Sequence, residues 1–227
     1  MAWWGFARWE REIDWMALNG LNLILAFTGQ EYIWKKFYTN VGLTDEEISD
    51  YFSGPAFLAW QRMGNIHRYG GPLCDDWINN QYKLQKMILA RLRLFGMIPV
   101  LPGFSGIVPG GLKRVFPNSN FTRSSEWNHF GSNYSENYLL EPTDTEFKAL
   151  GTAFYELMIS EFGTDHVYNA DTYNEMDPSS TDLDFLAETN QAVYQAMHDA
   201  DPEAVFMMQG WLFHYSGKRE GESVCVS

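Results

Sequence analysis

Cysteine and basic residues are scarce in this chain. Its 227 residues include two cysteines, Cys74 and Cys225, which are too far apart in sequence to indicate a disulfide framework. Lysine and arginine total 16 against 29 aspartates and glutamates, so the net charge is -13. No basic stripe is present that could follow a phosphate backbone, and we therefore expect no nucleic-acid partner.

Long apolar runs and leader-like segments are missing as well. No stretch reaches 18 consecutive apolar residues, so we expect no membrane-spanning helix. The first ten residues contain no basic segment followed by an apolar one, and we expect no signal peptide in this chain.

Motifs for metal, phosphate and serine chemistry are also absent from the sequence. There is no glycine-rich phosphate loop and no His-Glu-x-x-His. The five histidines show no short ligand spacing, so we expect no metal and no cofactor. In the segment 103–106 the second glycine comes one residue too early for a nucleophile elbow.

Aromatic residues, in contrast, are abundant. Nine Trp, 12 Tyr and 16 Phe make up 16% of the chain. Indole and phenol rings combine an apolar face with a polar group, which suits both a packed core and the faces of sugar rings. Composition leaves both interpretations open, with core packing assigned to most of these rings.

Helical periodicity alternates with short apolar runs along the chain. The predicted helices are Ala7–Leu18, Asp76–Phe95, a helix from a Thr143–Glu146 capping box to Gly163, and Leu183–Asp199, with shorter helices opening at Thr44 and after Pro55. The predicted strands are Leu21–Phe27, Met97–Leu101, Val167–Tyr173 and Ala204–Met208. We expect the first of these strands to be covered on both faces, and residues 106–127 to form a long functional loop.

Four helix-then-strand repeats predict an α/β protein with a parallel sheet. The leading interpretation is part of a TIM-like (β/α)8 barrel, because distinctive residues follow the strands, where barrel active sites lie. A complete barrel takes about 250 residues, yet this chain uses 227 on four strands, so we expect a half barrel. A doubly wound sheet is the alternative, since it also binds ligands at the carboxyl ends of its strands.

Three carboxylates follow predicted strands and are candidates for acid–base chemistry. Glu31 follows the first strand, while Asp171 and Glu175 lie at the end of the third. Glu175 is the strongest candidate for a general acid, because it emerges between Tyr173 and Met176 where an apolar strand meets the expected catalytic face. A structural role, in which Glu175 caps a loop or pairs with an arginine, remains open on position alone.

Five segments of the chain resemble the α-N-acetylglucosaminidases, glycoside hydrolase family 89, the family of the lysosomal heparan-sulfate enzymes. The resemblance covers about residues 3–214. The matching segments are ARWEREIDWMALNG (7–20), GPAFLAW (54–60), FGTDH (162–166), ADTYNEM (170–176) and QGWLF (209–213).

This resemblance implies a retaining exo-glycosidase that removes terminal α-linked N-acetylglucosamine with two carboxylates on a TIM-like barrel. Glu175 matches the family's acid/base, and Asn174 a residue that hydrogen-bonds the sugar. Three tryptophans match positions that shape the sugar pocket: Trp60, Trp127 and Trp211. Glu31 matches a motif on the catalytic face, and its role is left open.

The chain also departs from the family's pattern in two respects. The family's nucleophilic glutamate lies on a later strand, beyond the end of this chain, so the alternative is an inactive fragment that at most binds sugar weakly. We expect 1–215 to be part of the catalytic barrel domain and the tail 216–227 to be an unrelated gene-model artefact.

The sequence contains two sequons for asparagine-linked glycosylation. Asn120 and Asn133 begin Asn-x-Ser/Thr triplets at places where the family also carries them, which implies a secretory or lysosomal parent protein. The expected partner is a glycan with terminal N-acetylglucosamine, such as heparan sulfate; the oligomeric state is not predicted.

Overall fold

The structure is a computed structural model that describes residues 2–211. The predicted tail, 216–227, and the last two residues of the segment 209–213 lie outside this range. None of the helices in the described range is long and apolar enough to cross a membrane.

Short strands alternate with longer helices along the chain. The helices are α1 (Phe6–Leu18), α2 (Gln30–Val41), α3 (Asp45–Tyr51), α4 (Leu58–Arg62), α5 (Asp75–Leu94), α6 (Leu112–Val115), α7 (Ser132–Ser135), α8 (Thr145–Phe162) and α9 (Leu183–Ala200), with a 3-10 turn at Pro55–Phe57. The strands are β1 (Leu23–Leu25), β2 (Ile98–Pro102), β3 (Ile107–Val108), β4 (Phe121–Arg123), β5 (Tyr138–Leu140), β6 (Val167–Asn169) and β7 (Val205–Met207).

The main sheet has the strand order β1-β2-β6-β7, and every neighbouring pair runs parallel. Helix α5 leads into β2, α8 into β6 and α9 into β7, so the predicted helix-then-strand repeat is confirmed. Within residues 2–211 the four strands do not close into a barrel, in agreement with the predicted partial barrel.

The helices cover one face of this sheet. Strand register places Ile24, Leu101, Tyr168 and Phe206 on the same face, and all four pack in or against the main core. Helix α2 packs against α5 and α8, and α8 packs against α9. A doubly wound sheet carries helices on both faces, whereas a barrel carries them only outside, so the barrel interpretation is favoured.

The opposite face of the sheet carries apolar side chains that are open to solvent among the described residues. Leu23, Leu25, Ile98 and Val205 point to this face and are 42–54% exposed, whereas Val100, which shares this face, is fully buried. The prediction that the first strand is covered on both faces is therefore wrong: Leu23 and Leu25 are exposed, and β1 lies at the edge of the described sheet.

The structure differs from the sequence-based expectations at three places. Residues 106–127, predicted as a loop, contribute β3 and β4 to a small antiparallel sheet of order β3-β5-β4. Helix α2 was not predicted. It begins directly after Gly29, whose backbone has the left-handed conformation. The cap of α8 is Asp144, whose side chain accepts from the backbone N–H of Glu146 at 2.9 Å, rather than Thr143 in a capping box.

An ionic cluster links α8, β6 and β7 at the amino end of the main sheet. Nδ1 of His166 lies 2.9 Å from both carboxylate oxygens of Asp201, and this hydrogen bond raises the pKa of His166. Burial opposes ionisation of Asp201, but hydrogen bonds from Tyr168, His166 and Thr164 outweigh it and hold the pKa of Asp201 below its usual range. The cluster lies at the opposite end of the strands from the candidate site.

Candidate active site

A cavity of about 610 Å³ opens at the carboxyl ends of the main-sheet strands. Each strand contributes to its wall through the residues that follow it: Thr28 after β1, Gly103 after β2, Asp171 after β6 and Gln209 after β7. Loops at this end of a barrel carry the active site in TIM-barrel enzymes, so the cavity lies where the sequence predicted a site.

Glu175 lies in the loop after β6 and is held by two tryptophans. Its Oε2 accepts a hydrogen bond from Nε1 of Trp127 at 2.8 Å, and its Oε1 accepts one from Nε1 of Trp211, also at 2.8 Å. Trp127 comes from the loop after β4 and Trp211 from the segment after β7, so three separate parts of the chain converge on one carboxylate. Glu175 has a φ of 53°, a left-handed conformation that is uncommon for glutamate and occurs at functional sites.

This arrangement leaves the carboxylate able to take part in proton transfer. The indole groups are neutral donors, so they orient both oxygens without neutralising the charge as an arginine would. The alternative left open by the sequence, that Glu175 pairs with an arginine, finds no such ion pair among the described residues.

Asn174 directly precedes Glu175 in the chain and is buried. Its backbone carbonyl accepts from Nδ2 of Asn65 at 2.9 Å, and its own Nδ2 lies 3.4 Å from Oδ1 of Asn65. The backbone N–H of Asn65 donates to the carbonyl of Trp60 at 2.9 Å, so this fully buried asparagine joins the loop after α4 to the loop of Glu175. Asn65 could not be predicted from sequence, because its partner is 109 residues away.

Trp60 is placed apart from the other two tryptophans. It lies on α4, is exposed, and its ring packs 6.5 Å from that of Phe57. Its neighbours on α4 line the cavity, and its carbonyl is bonded to Asn65. The structure thus brings Glu175, Trp127 and Trp211 into direct contact. It connects Trp60 to them through Asn65 and Asn174, and through ring contacts that run by way of Phe57, Tyr69 and Phe130 to Trp127.

Glu31 forms a buried ion pair in the wall of the cavity, whereas Glu175 is not among the residues that line it. Arg62 of α4 binds it through two hydrogen bonds, Nε to Oε1 at 2.8 Å and Nη2 to Oε2 at 2.9 Å. Both residues line the cavity. A bidentate guanidinium occupies both carboxylate oxygens, which fits a role in fixing the cavity wall better than a role in proton transfer.

A polar network that the sequence did not predict joins the ends of β6 and β7. The backbone N–H of Gln209 donates to Oδ1 of Asp171 at 3.1 Å, and Nε2 of Gln209 donates to Oδ1 of Asn169 at 3.2 Å. Burial raises the pKa of Asp171, an effect that the hydrogen bonds from Gln209 and Asn169 partly offset. The network sets the distance between the segments that carry Glu175 and Trp211.

The two sequon asparagines, Asn120 and Asn133, are both exposed. Asn120 precedes β4 and Asn133 lies in α7. No group of three or more His, Cys, Asp or Glu side chains that could hold a metal occurs in residues 2–211.

A parallel sheet with helices on one face, and an indole-held glutamate at the carboxyl ends of its strands, defines part of a TIM-barrel enzyme. The sequence profile of the α-N-acetylglucosaminidase (NAGLU) TIM-barrel domain matches residues 1–221. The chain therefore belongs to the α-N-acetylglucosaminidase family of glycoside hydrolases, as its segments predicted.

Relatives of known identity agree with this assignment. Human α-N-acetylglucosaminidase is 54% identical over 213 residues, which is 94% of this chain and 29% of the human protein. A family 89 glycoside hydrolase from Clostridium perfringens, solved with 2-acetamido-1,2-dideoxynojirmycin, has a TM-score of 0.86 at 30% identity, covering 96% of this chain and 25% of its own. A form of the Clostridium enzyme with two Glu-to-Gln substitutions, solved with its substrate GlcNAc-α-1,4-galactose, has a TM-score of 0.85, again at 30% identity, covering 93% and 24%. This chain thus spans less than a third of each relative.

Proposed function

We propose that this chain carries the acid/base half of a retaining α-N-acetylglucosaminidase active site, with Glu175 as the acid/base. The observation that carries the proposal is the Glu175 carboxylate at the carboxyl end of β6, oriented by the indole groups of Trp127 and Trp211. In a retaining glycosidase one carboxyl group first protonates the leaving oxygen and then deprotonates the attacking water. Fixed donors that keep this group in one orientation favour both steps.

The double displacement also requires a nucleophilic carboxylate about 5–5.5 Å from the acid/base. Arg62 occupies both oxygens of Glu31, and burial raises the pKa of Asp171, which disfavours the ionised form that a nucleophile needs, so neither fits this role. We assign the nucleophile to a later barrel strand, outside the described residues. Residues 1–215 would then be part of the catalytic domain, and 216–227 would not belong to it.

Sugar binding is assigned to the same face. Trp127 and Trp211 would present their rings to N-acetylglucosamine, with Trp60 contributing from α4 and Asn174 offering its amide. The substrate class rests on the Clostridium relative, whose solved substrate carries an α-linked N-acetylglucosamine, and on the name of the human relative. Heparan sulfate, a lysosomal or secretory parent and glycosylation at Asn120 and Asn133 are parts of this proposal; the exposure of both asparagines supports the last of them.

A second candidate for the 227-residue chain by itself is sugar binding without hydrolysis. The open sheet face with Leu23, Leu25, Ile98 and Val205 favours it, because a barrel core left open does not hold a complete active site. Such a surface also favours association with other chains.

One comparison tests both candidates. The 227-residue chain is expressed beside an extended protein, in which the same sequence is joined to the remainder of a relative's barrel, and both are assayed at acidic pH on a chromogenic α-N-acetylglucosaminide. Activity in the extended protein alone supports the proposal, and sugar binding by the shorter chain is tested separately by calorimetric titration with N-acetylglucosamine. In the extended protein, Trp127→Phe removes one hydrogen bond to a charged group and should lower kcat/KM about ten- to a hundredfold on GlcNAc-α-1,4-galactose, whose leaving group needs a proton. Absence of activity in both proteins would contradict the proposal.

A further inference from the structure

The loop that carries Trp127 is closed at its base by two residues. The backbone N–H of Ser124 donates to the carbonyl of Asn137 at 2.9 Å, and the backbone N–H of Asn137 donates to Oγ of Ser124 at 3.0 Å. Nδ2 of Asn137 donates to the carbonyl of Gly64 at 2.7 Å, which fixes the base to the segment after α4. The residues between, 125–136, form a separate loop with Trp127 on its first half.

A buried hydroxyl connects the two halves of this loop, beside the hydrogen bonds from the N–H of Gly131 to Oε1 of Glu126 and from the N–H of Phe130 to the carbonyl of Trp127. Oγ of Ser135, which is completely buried, accepts from the backbone N–H of Trp127 at 3.2 Å and donates to the carbonyl of Gly131 at 3.0 Å. Its carbonyl accepts from Oγ of Ser124 at 3.3 Å. Ser135 therefore satisfies the backbone of the residue whose indole group contacts Glu175.

We propose that Ser135 is a positioning residue that holds Trp127 against Glu175. Without this hydroxyl the backbone N–H of Trp127 loses its acceptor, whereas the carbonyl of Gly131 keeps the N–H of Tyr134. An unsatisfied N–H drives the backbone of Trp127 toward solvent. The indole nitrogen would then leave Oε2 of Glu175, while Trp211, which reaches Oε1 from another segment, would stay in place. The consequence for catalysis rests on the proposed role of Glu175; the contact itself does not.

Ser135 also has a place in the sequon Asn133-Tyr134-Ser135, so loss of the hydroxyl and loss of a glycan must be separated. Asn133 lies on the same short helix, α7, but is exposed. Asn133→Gln abolishes the sequon and keeps the hydroxyl, Ser135→Thr keeps both, and Ser135→Ala removes both. These three variants form a matched set within one turn of the chain.

The test uses the 227-residue chain, produced without glycans in bacteria and labelled with 15N-tryptophan. The indole N–H resonances of its nine tryptophans are recorded, and those of Trp127 and Trp211 are assigned with Trp→Phe variants. Glu175→Gln provides the reference, because it removes the charged acceptor and should shift both resonances. We expect Ser135→Ala to shift or broaden the Trp127 resonance alone, and Ser135→Thr and Asn133→Gln to leave it unchanged.

The proposal is overturned if the Trp127 resonance is the same in Ser135→Ala as in the parent chain, or if both indole resonances change equally, as a general loosening would cause. Should the alanine variant fail to fold, Ser135→Cys, which keeps the side-chain volume and weakens the hydrogen bonds, is judged by the same two outcomes. In the extended protein Ser135→Ala should lower kcat/KM on GlcNAc-α-1,4-galactose about tenfold, which is the effect of one lost hydrogen bond. Asn133→Gln should change this kcat/KM little. A shifted resonance in a protein without hydrolytic activity would contradict the proposed function and leave the positioning role standing.

Discussion

Replacing Arg62 by methionine is expected to destabilise the chain far more than removing an exposed arginine. Glu31 and Arg62 are 4% and 23% exposed and share two hydrogen bonds. Charges about 4 Å apart at an effective dielectric of about 20 attract by about 4 kcal/mol, and removing one partner of a buried pair typically costs about 3–5 kcal/mol. We therefore expect Arg62→Met to lower the free energy of unfolding by about 3–5 kcal/mol.

Two controls accompany this variant. Arg68 pairs with Asp50 at 2.8 Å, but the two side chains are 45% and 60% exposed, so Arg68→Met should cost less than about 1 kcal/mol. The double variant Glu31→Met with Arg62→Met leaves no buried charge and should regain most of the loss. Urea unfolding measures all three without adding salt. A loss for Arg62→Met as small as that for Arg68→Met, or a double variant less stable than Arg62→Met, would refute the reasoning.

Two further predictions concern other parts of the fold. A Cβ at Gly103 would lie 2.6 Å from the hydroxyl of Tyr155 and 2.8 Å from Cβ of Ala170, so Gly103→Ala should cost about 1–3 kcal/mol in urea unfolding. Gly5→Ala has open space around the new Cβ but lies at the N-cap of α1, so it should cost less than about 1 kcal/mol. The pKa of His166 is raised from 6.5 in the folded chain, so its stabilising effect is full below pH 6.5 and is lost as pH rises through the folded value. Because the ring is 41% exposed, the effect should be below about 1 kcal/mol; His166→Asn, which tolerates the local φ of 65°, should remove this loss, and an unchanged pH profile of stability would contradict the assignment.

The main helices and strands could be predicted because their apolar residues recur with a clear period. The short strands could not be predicted. Helix α5 and strand β2 follow their predicted bounds within a residue or two, because apolar spacing and a terminal glycine mark them. Strands β3 and β4 have two and three residues, too few to show a period, and their pairing with β5 depends on residues well apart in sequence.

The candidate site was predictable only where a motif or a strand end marked it. Glu175 and the two tryptophans that bind it were named from the sequence through a family resemblance. Asn65 and Ser135 were not, because their roles arise from contacts that folding creates: Asn65 bonds across 109 residues, and Ser135 looks like an ordinary sequon serine. Glu31 was left without a role because its partner, Arg62, lies 31 residues away on another helix.

The role of Glu175 is tested most directly by comparing two leaving groups in the extended protein. Glu175→Ala is assayed on a nitrophenyl α-N-acetylglucosaminide, whose leaving group departs without protonation, and on GlcNAc-α-1,4-galactose, whose leaving group needs a proton. The account predicts that kcat/KM falls about 10²- to 10⁴-fold for the disaccharide and much less for the nitrophenyl substrate. Equal losses on both substrates, or no loss on either, would contradict the assignment of Glu175 as the acid/base.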